Sequence, residues 1–151
     1  MCIRDRWTGE TRNDRVFRTE GQVQDATRTP VFGDGVSDAW FGLGLGGWGS
    51  PMATDLPPKN LETGVSAVLS PVIGAGGGSA FLSTGMCVFT IPRHGSRPAR
   101  VPTDHPPSAK LPGAINVAFY DGHAETVKLE RLWSLYWHKD YVPPAKRPGL
   151  K

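Results

Sequence analysis

The sequence predicts an α+β fold: a small antiparallel sheet, long loops, and a C-terminal helix covering one face. Three observations carry this. Residues 113–138 string strand, turn, strand and helix signals together without a break. Glycine and proline supply 19 and 14 of the 151 residues, which favours strands, turns and loops over a helical bundle. The length is that of about one domain, enough to bury a core even at a hydrophobic content of 38%.

The hairpin comes first because its register follows from the residues. Ile115, Val117 and Phe119 alternate with Asn116, Ala118 and Tyr120, the period of a half-buried strand. Asp121-Gly122 marks a turn, and a second short strand runs through Val127 and Leu129. A two-residue loop sets Val117 opposite Thr126. A three-residue loop, Tyr120-Asp121-Gly122, sets Ile115 opposite Val127 and Val117 opposite Glu125. Only the second keeps Ile115, Val117, Phe119, Val127 and Leu129 on one face, and it puts Gly122 where a left-handed residue is required. After it, Leu129, Leu132, Trp133, Tyr136 and Trp137 fall at i, i+3, i+4, i+7 and i+8, one apolar helix face ended by Tyr141-Val142-Pro143-Pro144.

Upstream, the signals are shorter. Residues 7–14 are polar and expected to fray. Val16-Phe17-Arg18 and Thr29-Pro30-Val31-Phe32 read as strands, the latter ending at Gly33-Asp34-Gly35. Between them, residues 19–24 read as one helical turn capped by Thr19. Residues 41–60 are loop-rich. Their glycine string resembles a phosphate loop but lacks the Gly-Lys-Ser/Thr ending and a following helix. Asp55-Leu56-Pro57-Pro58 is extended and residues 60–64 form a turn. Residues 70–84 read as a flexible surface loop and Met86 to Ile91 as a core strand stopped by Pro92. A Pro-, Arg- and Lys-containing excursion then occupies residues 96–112, a length that is uncommon without a function or mobility.

The ends differ in kind from the middle. Residues 1–6, Met-Cys-Ile-Arg-Asp-Arg, resemble a translated sequencing-adapter leader and are set aside as non-native, which leaves 7–144 as one globular unit and 145–151 as a solvated basic tail. Setting them aside removes two arginines and one aspartate, so the net charge falls from +3 to +2, an ordinary value that argues against nucleic acid as the main partner. It also leaves Cys87 alone, with no internal disulfide, in an apolar run that suits a buried thiol. No run of residues approaches the roughly 18 apolar positions that span a bilayer.

Five polar residues could carry chemistry: His94, Asp104, His105, Asp121 and His123. A metal reading joins His94, Asp121 and His123, though the spacing matches no common zinc pattern. The simpler reading has Asp121 ordering its own turn and His94 bonding Asp121, or a loop carbonyl, to staple the preceding strand to the hairpin. Ser96 and Ser134 could serve as nucleophiles, but no nucleophile-elbow sequence is present. Asp34, Asp38 and Asp55 could contribute to a calcium site, without the spacing of an EF-hand. Trp133, Tyr136 and Trp137 suit a core more than a stacking platform. Arg97, Arg100 and Lys110 offer an acidic partner a basic loop.

Arg93-His94-Gly95, a loop, and then Ile115-Asn116-Val117-Ala118-Phe119-Tyr120-Asp121-Gly122-His123 resemble the prepilin-type processing-associated H-X9-DG domain. Its typical motif reads Arg-His-Gly, small residues, and Asn-Val-x-Phe-x-Asp-Gly-His. Here 26 residues separate His94 from Asp121 instead of nine, an excess of 17 that the excursion through Pro106-Pro107 accounts for. The segment from Thr29 to Gly35 and the ending from Leu129 to His138 are similar as well.

The resemblance implies a pseudopilin-like head of the type II secretion or type IV pilus class. It implies a structural subunit of the cell envelope, with no catalysis and no cofactor. The family motif residues would be Arg93, His94, Gly95, Asn116, Phe119, Asp121, Gly122 and His123. Its partners would be other pilin or pseudopilin subunits, reached through an N-terminal helix that also anchors the precursor in the inner membrane, leaving the head periplasmic or extracellular. That helix is absent from these 151 residues. Two other classes stay open: an envelope module binding carbohydrate or another ligand, with Trp40, Trp48 and Trp137 exposed in a row, and a metal-dependent hydrolase built on His94, Asp121 and His123.

Overall fold

A computed structural model describes residues 17–35, 51–64, 67–69, 80–82 and 85–151. Its centre is a three-stranded antiparallel sheet in the order β1-β4-β5, with β1 at Pro30–Gly33, β4 at Ala114–Phe119 and β5 at Ala124–Lys128. A separate antiparallel pair joins β2, Ala67–Leu69, to β3, Ala80–Leu82. Residues 80–82 therefore form a strand where a surface loop was expected; residues 70–79 and 83–84 lie outside the described residues, as do 1–16 and 36–50 with Asp38, Trp40 and Trp48.

The hairpin has the expected register. Ile115 pairs with Val127 and Val117 with Glu125, and the loop is Tyr120-Asp121-Gly122. Gly122 has φ of 91°, in the left-handed region that a side chain strongly disfavours. Ile115, Val117, Phe119, Val127 and Leu129 are all buried, so burial on one face fixes the pairing. Leu61, Met86, Leu111, Leu132, Trp133 and Leu135 complete the core against them.

The C-terminal helix is the main correction to the expected fold. The chain forms a six-residue 3-10 helix, Leu129–Ser134, and then extends. The apolar period is real, since Leu129, Leu132 and Trp133 are buried, but the backbone bonds of a longer helix go elsewhere. The Leu132 carbonyl that the Tyr136 N–H would meet in an α-helix instead accepts from the Trp137 indole at 2.8 Å and the Leu135 N–H at 3.3 Å. Tyr136 N–H donates to Arg28 O at 2.8 Å, and the Ser134 hydroxyl takes the Arg131 carbonyl at 2.7 Å. Leu135, on the polar side of the projected helix, is fully buried.

The expected strand from Met86 to Ile91 is likewise a short 3-10 helix, Gly85–Val88. The buried Asp55 carboxylate accepts the Met86 N–H at 3.1 Å, and the Thr90 hydroxyl donates to Met86 O at 2.7 Å. Those two bonds, one local and one from 31 residues upstream, compete successfully with a ladder. Phe17 and Arg18 form no strand. The turn near residue 20 is a 3-10 helix, Glu20–Gln22, without a bond from the Thr19 side chain. The turn at residues 60–64 is present, with Asn60 Oδ1 accepting the Glu62 and Thr63 N–H groups at 2.9 and 3.1 Å.

The basic tail, expected to be solvated, is anchored through Arg147, while Lys146 and Lys151 are exposed. The Arg147 side chain is 2% exposed and all five of its N–H donors are used. They reach Glu130 at 2.8 and 3.3 Å, the Pro107 and Ala109 carbonyls at 2.9 and 2.8 Å, and the Pro148 carbonyl at 3.1 Å. Glu130 Oε1 also accepts the Leu111 N–H. One guanidinium thus ties the end of the 96–112 excursion to the 3-10 helix and the C-terminal segment. Among the described residues no helix is long and apolar enough to cross a membrane.

Candidate functional site

The site grows from two glycines and a strand end. Gly95 has φ of 66° and Gly113 φ of 75°, and next to them His94 pairs with Ala114 as an antiparallel bridge. The His94 N–H donates to Ala114 O at 2.9 Å and the Ala114 N–H to His94 O at 2.9 Å. Gly113 is confined as well as left-handed: a Cβ there would sit 2.6 Å from Pro92 Cβ and 3.2 Å from His94 O. This fit extends the sheet by one residue and aims the His94 ring at its polar face.

Asp34, the residue after β1, meets it there. The Asp34 N–H donates to Asn116 O at 3.0 Å, and the Asn116 N–H returns to Asp34 Oδ2 at 3.0 Å. Asp34 thus continues the β1–β4 ladder with its side chain. The same Oδ2 lies 2.9 Å from His94 Nε2. The Asn116 N–H, and after it the His94 ring, hold the Asp34 carboxyl below its ordinary value. An ionised carboxylate only accepts, so Nε2 carries the proton of this bond. The Asn116 Nδ2 group sits 3.0 Å from the same Nε2 but, both being donors, makes no hydrogen bond with it; Asn116 Oδ1 accepts from the Thr126 hydroxyl at 2.8 Å. Arg93 adds a bond from Nη2 to Gly35 O at 3.1 Å. His94, Asp34, Asn116 and Thr126 therefore link the 93–95 bridge, β1, β4 and β5 in one polar network.

Beside this network lies an open hollow of about 430 Å³, bounded by Asp34, Glu62, Ile91, Pro92, Arg93, His94 and Arg97. Ile91 and Pro92 are buried, whereas Arg93, His94, Arg97 and Glu62 are exposed.

The opposite end of β4 holds a second Asp–His pair. Asp121 Oδ1 accepts from the His123 N–H at 3.2 Å and lies 2.5 Å from His123 Nδ1. The His123 ring, followed by its N–H, holds the Asp121 carboxyl below its usual range. The ring stacks on Phe119 with centroids 4.5 Å apart and planes 4° from parallel. The loop rests on the segment before β1, where the Tyr120 N–H donates to Thr29 O at 2.9 Å and the Asp121 N–H to Ala26 O at 3.3 Å.

These placements correct the sequence reading of His94. Its carboxylate partner is Asp34 and not Asp121. His94 pairs at Ala114 and Asp121 follows Phe119, so the two ends are separated by the length of β4, about 17 Å at 3.3 Å per residue. The joint metal or hydrolase site of His94, Asp121 and His123 is not assembled, and among the described residues no group of three His, Cys, Asp or Glu side chains could hold a metal ion. The proposed calcium carboxylates are engaged too: Asp34 as above, and Asp55 with the Met52 and Met86 N–H groups.

The remaining candidates fall into place individually. His105 is buried, its N–H on Lys59 O at 2.7 Å and its ring 3.3 Å from Ala109 O, while Asp104 is exposed. Ser96 is exposed, and the Ser134 hydroxyl is spent on Arg131 O. Cys87 is buried near the Leu56 carbonyl. Trp133 is core, its indole donating to Asp55 O at 2.8 Å, and Trp137 packs on Phe89 with centroids 4.6 Å apart. Tyr136 lies under the Arg28 guanidinium at 4.9 Å. Arg100 and Lys110 are exposed. Asp34 and Arg147 were missed as organising residues; the only local signal for Asp34 was its turn, Gly33-Asp34-Gly35.

Comparison of the chain with models of known protein families, with curated proteins and with solved structures finds no match.

Proposed function

We propose that the chain is the globular head of a prepilin- or pseudopilin-like structural subunit, carrying the H-X9-DG motif with a long insertion. One observation supports this most: each polar residue of the motif is used to hold the fold. His94 and Asn116 join three strands and the bridge through Asp34 and Thr126. Asp121 and His123 close a hairpin loop on themselves, with Gly122 supplying the left-handed backbone. Such a division of labour suits a subunit whose task is to present a stable head on an assembly. The insertion at residues 96–112 is compatible with that role because Arg147 and Glu130 tie its far end down.

In this reading the membrane anchor and the contacts with other subunits belong to a helix encoded before Trp7, and the head sits on the outer side of the inner membrane. Recovery of the coding sequence upstream of Trp7 tests it. The expected result is a processing motif followed directly by an apolar helix of about 20 residues. An intact gene with neither would overturn the assignment.

A further inference from the structure

We propose that the hollow beside His94 binds a small zwitterion of amino-acid type, its carboxylate on Arg93 and Arg97 and its ammonium on Glu62. This goes beyond the structural role proposed above and does not depend on it.

The hollow is bounded by charges of both signs that do not satisfy each other. Arg97 and Glu62 both face it, yet among the described residues neither side chain makes an ion pair or a hydrogen bond. Arg93 commits one Nη2 donor to Gly35 O and keeps its other guanidinium donors open. Asp34 Oδ2 is shared by His94 and the Asn116 N–H, so among the described residues Glu62 is the carboxylate at the hollow with both oxygens unpartnered. Opposite charges that share a concavity without bridging it leave a gap that a molecule carrying both signs can close. A guanidinium takes a carboxylate through two parallel N–H···O bonds, and a carboxylate takes an ammonium through charge-assisted bonds.

The backbone of the walls and the His94 ring are held in place before any ligand arrives. The backbone at 93–95 is fixed by the bridge to Ala114 and by Gly95. The His94 ring is held on Asp34, and Glu62 projects from a turn closed by Asn60 Oδ1. Buried Ile91 and Pro92 close the apolar side of the hollow. A preset wall lowers the ordering cost of binding, and about 430 Å³ lies within the range of small-molecule sites. Arg97 belongs to the 96–112 excursion, so this reading also gives the insertion a task.

The test is a titration of the purified chain followed by backbone amide NMR, with three probes of similar shape: L-valine, isovalerate (carboxylate alone) and isobutylamine (ammonium alone). Binding of L-valine should move the amides of residues 62 and 91–97 saturably, with both single-charge probes weaker by about tenfold or more. Arg97→Gln should weaken L-valine and isovalerate alike. Glu62→Gln should weaken L-valine and leave isovalerate unchanged. Arg100→Gln, outside the hollow, should change nothing. Absence of saturable shifts with L-valine overturns the proposal. So does isovalerate binding as tightly as L-valine, which would make the hollow a simple anion site, or insensitivity of binding to Arg97→Gln and Glu62→Gln.

Discussion

Two Asp–His pairs sit at opposite ends of β4 and do different work with the same groups. The His123–Asp121 pair spans two residues and orders a hairpin loop that would exist, by its register and Gly122, with little help. The His94–Asp34 pair spans 60 residues and brings together segments that no local signal connects. Both are partly exposed, with the His94 and Asp34 side chains at 44% and 36% and the His123 and Asp121 side chains at 42% and 32%. Exposure alone therefore does not separate them. What separates them is how many other bonds depend on each. Asp34 Oδ2 also takes the Asn116 N–H, and through Asn116 the bond chain reaches Thr126. The Asp121 carboxylate serves only its own loop. The value of an ion pair lies in the network it belongs to more than in its own distance.

The sharpest way to break the comparison is at the two left-handed glycines that flank the pairs. Gly113→Ala, at the His94 end, adds a side chain to a left-handed backbone and drives it to 2.6 Å from Pro92 Cβ. It should cost about 2–4 kcal/mol in urea unfolding, the sum of backbone strain and overpacking. Gly122→Ala, at the loop, meets nothing within 4 Å and should cost only the backbone part, about 1 kcal/mol. Equal losses at the two sites would show that the His94 end is no tighter than the loop.

Between these in size comes Asp34→Ala, which removes acceptors for His94 and for the Asn116 N–H. An unfolding loss of about 1–2 kcal/mol is expected, reduced from a buried value by the site's exposure. The smallest effect belongs to Asp121→Ala, whose loss in the same assay should fall below that of Asp34→Ala.

Acid sharpens the same contrast. Both carboxyls are held below their ordinary value of 3.8. A carboxyl with a depressed folded pKa contributes stability that is complete above the unfolded value and is lost as pH falls through the folded one. The stability difference between wild type and Asp34→Asn should therefore hold at neutral pH and shrink below about pH 4. Unfolding midpoints measured from pH 7 down to pH 2.5 give the comparison. A difference that grows in acid would contradict the depressed Asp34.

The parts of the fold legible in the sequence are those set by neighbours. Ile115 opposite Val127, the three-residue loop and the left-handed Gly122 all follow from alternation and turn chemistry over 15 residues. The strand at Pro30–Gly33 follows from its bounding turn in the same way. The parts that were not legible are set by partners far along the chain. The Leu129–Ser134 helix stops because the Tyr136 N–H finds Arg28 O and the Trp137 indole takes the Leu132 carbonyl, which no helical period encodes. Arg147 reads as one more charge in a basic tail until Glu130 and the 107–109 carbonyls surround it. Of the candidate site, His94 and Asn116 were legible as motif residues, while Asp121 and His123, read together with them, lie at the other end of β4. The wiring of His94 to Asp34 was not legible, because the two lie 60 positions apart in the chain.

The most direct measurement is a double-mutant cycle on His94 and Asp34, read by urea unfolding at neutral pH, beside a second cycle on His94 and Asp121. A coupling of about 0.5–1 kcal/mol is predicted for His94→Ala with Asp34→Ala, and none for His94→Ala with Asp121→Ala. Zero coupling in the first cycle, or coupling in the second, would contradict the assignment of His94 to the network that closes the sheet.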